Sequence, residues 1–338
     1  MTLSPETDLR PTLKTIAQET GLAIATVSRA LKDAPDIGEA TKLRVRAAAT
    51  RLGYRPNRAG VRLRTGKTNV IALVLSTEAD VMNHTSRLIS SMAQGLRGTN
   101  YHLVMMPFFP DEDPMTPVRY LVETGSADGI ILNQTTADDP RVQYLHAQNM
   151  PFATHGRTDT GITHAYFDYD NEAFSRIGVG ALAARGRKRL LLIAPPRAHC
   201  YAVHMIAGFM AEAARLGLHC EVMADLTSDS GAALIEAAVT RRMHTHPAPD
   251  GIICGSTTAA MAAVMGAELA GLQIGVGFDL VAKEAISFLH RFRRDMIVLH
   301  EDVDRAGAHL SRAIIQAIED PTAPVAQALD RPQELSSD

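Results

Sequence analysis

The sequence predicts an α/β protein with a small helical unit ahead of a body of parallel sheets. Three observations carry this. From residue 70 onwards, short apolar runs alternate with helical stretches, the pattern of strands covered by helices on both faces. Residues 12–52 instead repeat apolar positions at one-turn spacing. The charge divides at the same place. Residues 1–67 hold 13 Lys+Arg against 6 Asp+Glu, a net +7, and residues 68–338 hold 21 against 31, a net −10. The overall −3 hides two parts of opposite sign.

Each element of the first part has a local cause. Thr12 can cap a helix with Leu13, Ile16 and Ala17 on one face. Gly21 supplies the left-handed turn that ends it, and Leu22 plugs the turn. A second helix runs from Ile24 to Leu31 with Val27, Ala30 and Leu31 inward, leaving Ile24, Ala25, Thr26, Ser28 and Arg29 on or near the outer face. Most of these side chains are short, so the helix can approach base edges closely, and Arg29 can donate two hydrogen bonds to a guanine. A third helix spans about Glu39 to Leu52, packing through Leu43, Val45, Ala47 and Ala48 and stopping at Gly53. Pro56 breaks the chain after Tyr54, and Arg58 to Arg64 is too short a helix to hold alone. The excess positive charge suits a polyanion. Together these features fit a helix-turn-helix in a DNA major groove, with a hinge that reaches the minor groove.

The body reads as strands at Val70–Leu75, His102–Met106, Gly129–Leu132, Leu190–Ile193 and Gly251–Cys254. Helices are expected near Arg87–Gly98, Pro117–Thr124, Asn171–Ala184, Val203–Leu216, Ser230–Arg242 and Thr258–Leu269.

The segment Ile16-Ala17, Gly21-Leu22, Thr26-Val27-Ser28-Arg29-Ala30-Leu31 and Leu52-Gly53-Tyr54-Arg55-Pro56-Asn57, with the run Arg58 to Leu63, resembles the DNA-binding domain of the lactose/galactose repressor (LacI/GalR) family. The resemblance continues through Asp128–Leu132, Pro151–Arg157, Phe167–Phe174, Ala207-Gly208-Phe209 and Gly277-Phe278-Asp279. It implies a two-lobed, periplasmic-binding-protein-like sensor. The expected layout is a DNA-binding domain at 1–56 and a hinge at 57–69. A first lobe follows at 70–165 plus 295–320, and a second at 166–294 plus 321–338. Crossings fall near His164, near Arg294–Leu299 and at 320–330.

By the resemblance, Thr26, Ser28 and Asn57 hold the phosphate backbone, and Ile24, Ala25 and Arg29 read bases. Tyr54, Arg58 and Arg64 join the DNA contacts. Leu63 either wedges into a central base step or packs on the sensor. Ala23 stands where the family usually has Ser, which weakens the cap of the reading helix. Asn83, Asn133, Arg157, Asp168, Ser256 and Asp279 fall where the family contacts its effector. Met205 and Leu226 replace an Arg and an aromatic ring at two further effector positions, leaving Tyr201, Phe288, His199 or His204 as substitutes. The expected partners are a pseudo-palindromic double-stranded operator, a small effector of carbohydrate type such as a glucoside or disaccharide, and a second copy of the chain.

Other chemistry finds little support. The 13 histidines do not build a metal site by spacing, and the three cysteines suit reduced thiols. No cofactor is expected: Gly178-Val179-Gly180 lacks the dinucleotide context, and no catalytic constellation stands out. A polar, acidic start and the lack of an 18-residue apolar run predict neither a signal peptide nor a membrane span, hence a cytoplasmic protein. The polar tail carries no leucine heptads, so a homodimer is expected. The competing readings are a solute-binding protein and a sugar-active enzyme on the same two-lobed fold.

Overall fold

A computed structural model describes residues 11–54, 66–77, 79–285 and 289–334. The chain divides into two compact units between residues 68 and 69.

The first unit holds α1 (Leu13–Thr20), α2 (Ile24–Leu31) and α3 (Glu39–Arg51). Thr12 and Thr15 cap α1 reciprocally: each hydroxyl accepts the other's backbone N–H, at 3.3 and 3.1 Å. Gly21 ends the helix at φ +67°, a conformation that costs glycine nothing. Ala23 gives α2 no side-chain cap. The core joins Ile16, Ala17, Val27, Ala30, Val45, Ala48 and Ala49. The expected packing face of α3 needs correction. Leu43 is 64% exposed and Ala47 is also exposed, because the buried stripe runs through Lys42, Val45, Ala48 and Ala49. Lys42 sits on that stripe because Asp33 and Glu39 pair with its ammonium at 3.0 and 2.8 Å.

The second unit contains twelve strands among the described residues. They are β1 (Val70–Ser76), β2 (His102–Phe108), β3 (Gly129–Leu132), β4 (Phe152–His155), β5 (Ala165–Tyr169) and β6 (Arg189–Ile193). After these come β7 (His219–Val222), β8 (Gly251–Cys254), β9 (Asp279–Glu284), β10 (Ile297–His300), β11 (Gln327–Asp330) and β12 (Gln333–Glu334). The helices are α4 (Ala79–Gly95), α5 (Met115–Glu123), α6 (Pro140–Ala147), α7 (Asn171–Ala184), α8 (Cys200–Arg215), α9 (Ala232–Met243), α10 (Thr257–Leu269), α11 (Leu289–Phe292) and α12 (Val303–Glu319).

The strands form two six-stranded sheets, β11-β5-β4-β3-β1-β2 and β12-β10-β9-β8-β6-β7. Every pairing is parallel except β10 with β12. Successive side chains of a strand point to opposite faces, and in the central strands both faces are dry. In β1, Ile71, Leu73 and Leu75 pack under α4 and α12, whereas Ala72 and Val74 pack under α5 and α6. In β8, Ile252 and Cys254 join the core under α9 and α10, and Ile253 joins that under α7 and α8. The α7–α8 contact requires Gly208, since a Cβ there would stand 2.3 Å from the Glu172 carbonyl oxygen. No described helix is long and apolar enough to cross a membrane.

The crossings between lobes fall later than expected. β5 belongs to the first sheet, so the chain leaves it at Asp170, whose carboxylate caps α7, and not near His164. β10 pairs with β9 in the second sheet, so the return is at Glu301–Asp302 and not within Arg294–Leu299. Residues 327–330 pair with β5 and belong to the first lobe; only β12 returns to the second. A strand cannot leave a sheet until its ladder bonds end. The mixed sequences of β5 and β11 hide those strands from an apolar-run reading, whereas β10 is itself an apolar run, Ile297-Val298-Leu299, that fits a sheet strand better than a crossing.

Candidate functional site

The first unit presents the outer face of α2. Ile24 is 48% exposed, Ala25 is exposed, and Thr26 and Ser28 are half-buried. Arg29 is exposed, and its guanidinium pairs with Asp36. Tyr54 packs partly buried against the helical core. Asn57, Arg58, Leu63 and Arg64 lie outside the described residues.

In the second unit a cavity of about 190 Å³ opens where the carboxyl ends of both sheets meet. Asn133 follows β3, His155 ends β4, and Asp168 and Tyr169 end β5. From the other sheet, Pro195 follows β6, Gly255 to Thr258 follow β8, Lys283 lies near the end of β9, and Glu301 follows β10. Ligands of parallel α/β sheets bind at this end.

Of the expected effector residues, the structure brings Asn133, Asp168 and Ser256 to the cavity wall. The Asn133 Oδ1 accepts the Gln134 N–H at 2.8 Å and lies 3.3 Å from His155 Nδ1. Asp168 is buried and accepts from Arg157 Nε at 2.6 Å. Burial lifts the Asp168 carboxyl above its ordinary value against the pull of Arg157. Ser256 caps α10 by accepting the Ala259 N–H at 3.1 Å, and its hydroxyl donates to the Ser228 carbonyl at 2.9 Å.

Four expectations are corrected. Arg157 holds Asp168, a wall residue, but does not itself line the cavity. Met205 is fully buried in the core under α7 and α8, on the inward face of α8. Leu226 is half-buried in the loop before α9, away from the lining. Asp279 opens β9 at its amino end, where Arg185 and Arg187 clamp it at 2.7 and 2.6 Å. Lys283, four residues on, lies roughly 13 Å along the strand. The side chain of Asn83 and residue Phe288 lie outside the described residues.

The cavity also holds residues that sequence reasoning missed. Lys283 pairs with Glu301 at 2.7 Å, donates to Asn171 Oδ1 at 3.1 Å and sits 4.6 Å above the Tyr169 ring. His84 Nε2 lies 3.2 Å from the other Glu301 oxygen. Burial alone would raise the Glu301 carboxyl, but Lys283 and His84 reverse this and leave it well below the usual range. Burial and the neighbouring His84 push His155 down to about 3, so the ring stays neutral. The one local signal was a charged pair, Lys283-Glu284, following the apolar run Leu280-Val281-Ala282. Tyr169 and Gln134 also line the cavity, with the Tyr169 hydroxyl and Gln134 Nε2 buried and without a hydrogen-bond partner among the described residues. Tyr201, one of the substitutes expected from the sequence, does line the cavity and stacks on His199 at 5.1 Å.

A backbone seam joins the lobes beside this cavity. The Cys200 N–H donates to the Thr135 carbonyl at 2.9 Å, and Thr136 and His199 form an antiparallel bridge.

Two family models match this arrangement. Residues 12–57 match the bacterial regulatory proteins of the lacI family. Residues 68–329 match the periplasmic binding proteins and sugar binding domain of the LacI family. The chain belongs to the LacI family. It is a DNA-binding transcriptional regulator, in a family of regulators and not of enzymes. This LacI-family chain is 32% identical over 279 residues to the HTH-type transcriptional regulator RafR of Escherichia coli, covering 82% of itself and 80% of RafR. It is 29% identical over 317 residues to the regulator AglR of Rhizobium meliloti (strain 1021), covering 90% and 87%. Its fold matches the Lac repressor dimer bound to operator and the anti-inducer ONPF, with a TM-score of 0.85 at 20% identity over 97% of this chain and 98% of that one. A complex of the regulator CelR with cellobiose gives a TM-score of 0.67 at 22% identity over 97% and 99%.

Proposed function

We propose that this LacI-family regulator is a cytoplasmic repressor of carbohydrate uptake or catabolism genes, released from its operator by a sugar of disaccharide or glycoside type. The observation that carries this is the cavity wall, built from hydrogen-bonding side chains of both lobes around an aromatic face. A polyhydroxy ligand needs paired donors and acceptors in a site that excludes water. CelR, which shares the fold, is known in complex with cellobiose.

In this reading Ile24, Ala25 and Arg29 read bases, and Thr26, Ser28 and Asn57 hold phosphates. Tyr54, Arg58 and Arg64 contribute to the backbone and minor-groove contacts, and Leu63 enters a central base step. Asn133, Asp168 and Ser256 hold the effector with Lys283 and Asn171. Two copies place two reading helices on one pseudo-palindrome. Exposed Met105 and Phe109 at the β2 edge, and Met261, Met265 and Leu269 on α10, are apolar surface for a second copy to cover. A sugar that touches both lobes differs in affinity between their arrangements, and by reciprocity it changes DNA affinity.

The test is a mobility-shift titration of the full chain on palindromic DNA from its own upstream region, with a panel of mono- and disaccharides. A salt-sensitive shift reversed by one sugar is expected. No shift at low salt sinks the repressor reading. A shift that no sugar changes sinks the choice of effector class.

A further inference from the structure

We propose that the cleft also binds a divalent transition metal ion of the zinc class, through His84, His155 and Glu301. These residues come from α4, the end of β4 and the loop after β10. They are far apart in sequence, yet each offers a ligand atom within 4.8 Å of the others. Two imidazoles and one carboxylate form the donor set of many zinc sites that keep a fourth position open. All three residues line the cavity, so an open position would face its contents.

The surroundings are also those of a ligand set. Metal-bound histidines commonly donate their second ring N–H to a neighbour, which fixes the tautomer. His155 Nδ1 lies 3.3 Å from Asn133 Oδ1, an arrangement that leaves Nε2 with its lone pair for a metal. Glu301 Oε2 is held by the Lys283 ammonium at 2.7 Å, leaving Oε1, now beside His84 Nε2, as the single ligand oxygen. An ion takes the place of the His84–Glu301 contact, and Lys283 keeps its hold on the outer oxygen. The ligand atoms, within 4.8 Å of one another, would close by roughly an ångström to reach ordinary zinc–ligand distances.

The experiment uses the full chain freed of metal with a chelator. Zn²⁺ is titrated against a chromogenic competitor, and Co²⁺ is followed by its visible absorption. One ion per chain and an absorption of tetrahedral intensity are expected. His84→Ala and His155→Ala should each weaken Zn²⁺ binding at least tenfold, whereas His244→Ala with His246→Ala should leave it unchanged. Binding that survives the His84→Ala/His155→Ala pair overturns the site. Should that pair fail to fold, the unaltered chain decides, because a Co²⁺ spectrum without a tetrahedral nitrogen-ligated band also overturns it.

Discussion

The DNA-reading unit and the cleft handle charge in opposite ways. The first keeps the cation of its reading face in water: Arg29 is 57% exposed on its side chain and lightly paired with Asp36. The second takes Lys283, Glu301 and Asp168 out of water and must match each one. The difference is one of reversibility. An exposed pair is worth about 0–1 kcal/mol and yields readily to a phosphate or a base. A buried pair is costly to break, so a ligand entering the cleft must replace what it displaces, bond for bond.

Four changes test that contrast. The largest effect belongs to Lys283→Met, which strands the Glu301 carboxylate in the protein interior. A loss of about 3–5 kcal/mol of sensor stability is expected in denaturant unfolding, largely restored by adding Glu301→Gln. A small loss would mean that water reaches the cleft freely. Next comes Arg29→Ala. Operator affinity should fall by about 1–3 kcal/mol, measured against non-specific DNA at fixed salt, with the sensor's melting unchanged.

The third test is pH. Burial holds His164 below its usual value, with the ring bonded to Thr154 and Ile162. A group lowered on folding gives stability that is complete above its unfolded pKa of about 6.5 and is lost as pH falls below it. His164 should therefore contribute a loss of up to about 1.4 kcal/mol per pH unit between 6.5 and its folded value, on top of the losses from His155 and His309, and this share should vanish in His164→Gln. Residues 1–67 contain no histidine, so peptide-resolved hydrogen exchange should show the reading unit unmoved over the same range. The smallest effect is Asp36→Asn, which frees Arg29 and should tighten DNA binding by under about 1 kcal/mol. A larger gain would show that Asp36 masks the reader.

The contrast also explains what could be read from sequence. The helix-turn-helix is contiguous, and its capping threonines, Gly21 and Val27 act on near neighbours. The apolar strands β1, β3, β6 and β8 were legible because both of their faces are dry. The cleft gathers residues from His84 to Glu301 through sheet topology, so no local spacing announced it. Asp279 shows the hazard. It belongs to a strand that does reach the cavity, but it sits at the end clamped by Arg185 and Arg187. Met205 misled in the other direction, since its place on α8 faces the core.

The seam between Thr135–Thr136 and His199–Cys200 has a consequence for timing. If a bound molecule leaves only when the lobes part, these shared backbone bonds are among those that must break first. Residence time is then set by the protein's own opening rate as well as by affinity. Two sugars of equal affinity would keep the gate shut for similar intervals, and the response would persist briefly after the sugar has gone. Weakening the seam without touching the cavity wall would shorten that persistence.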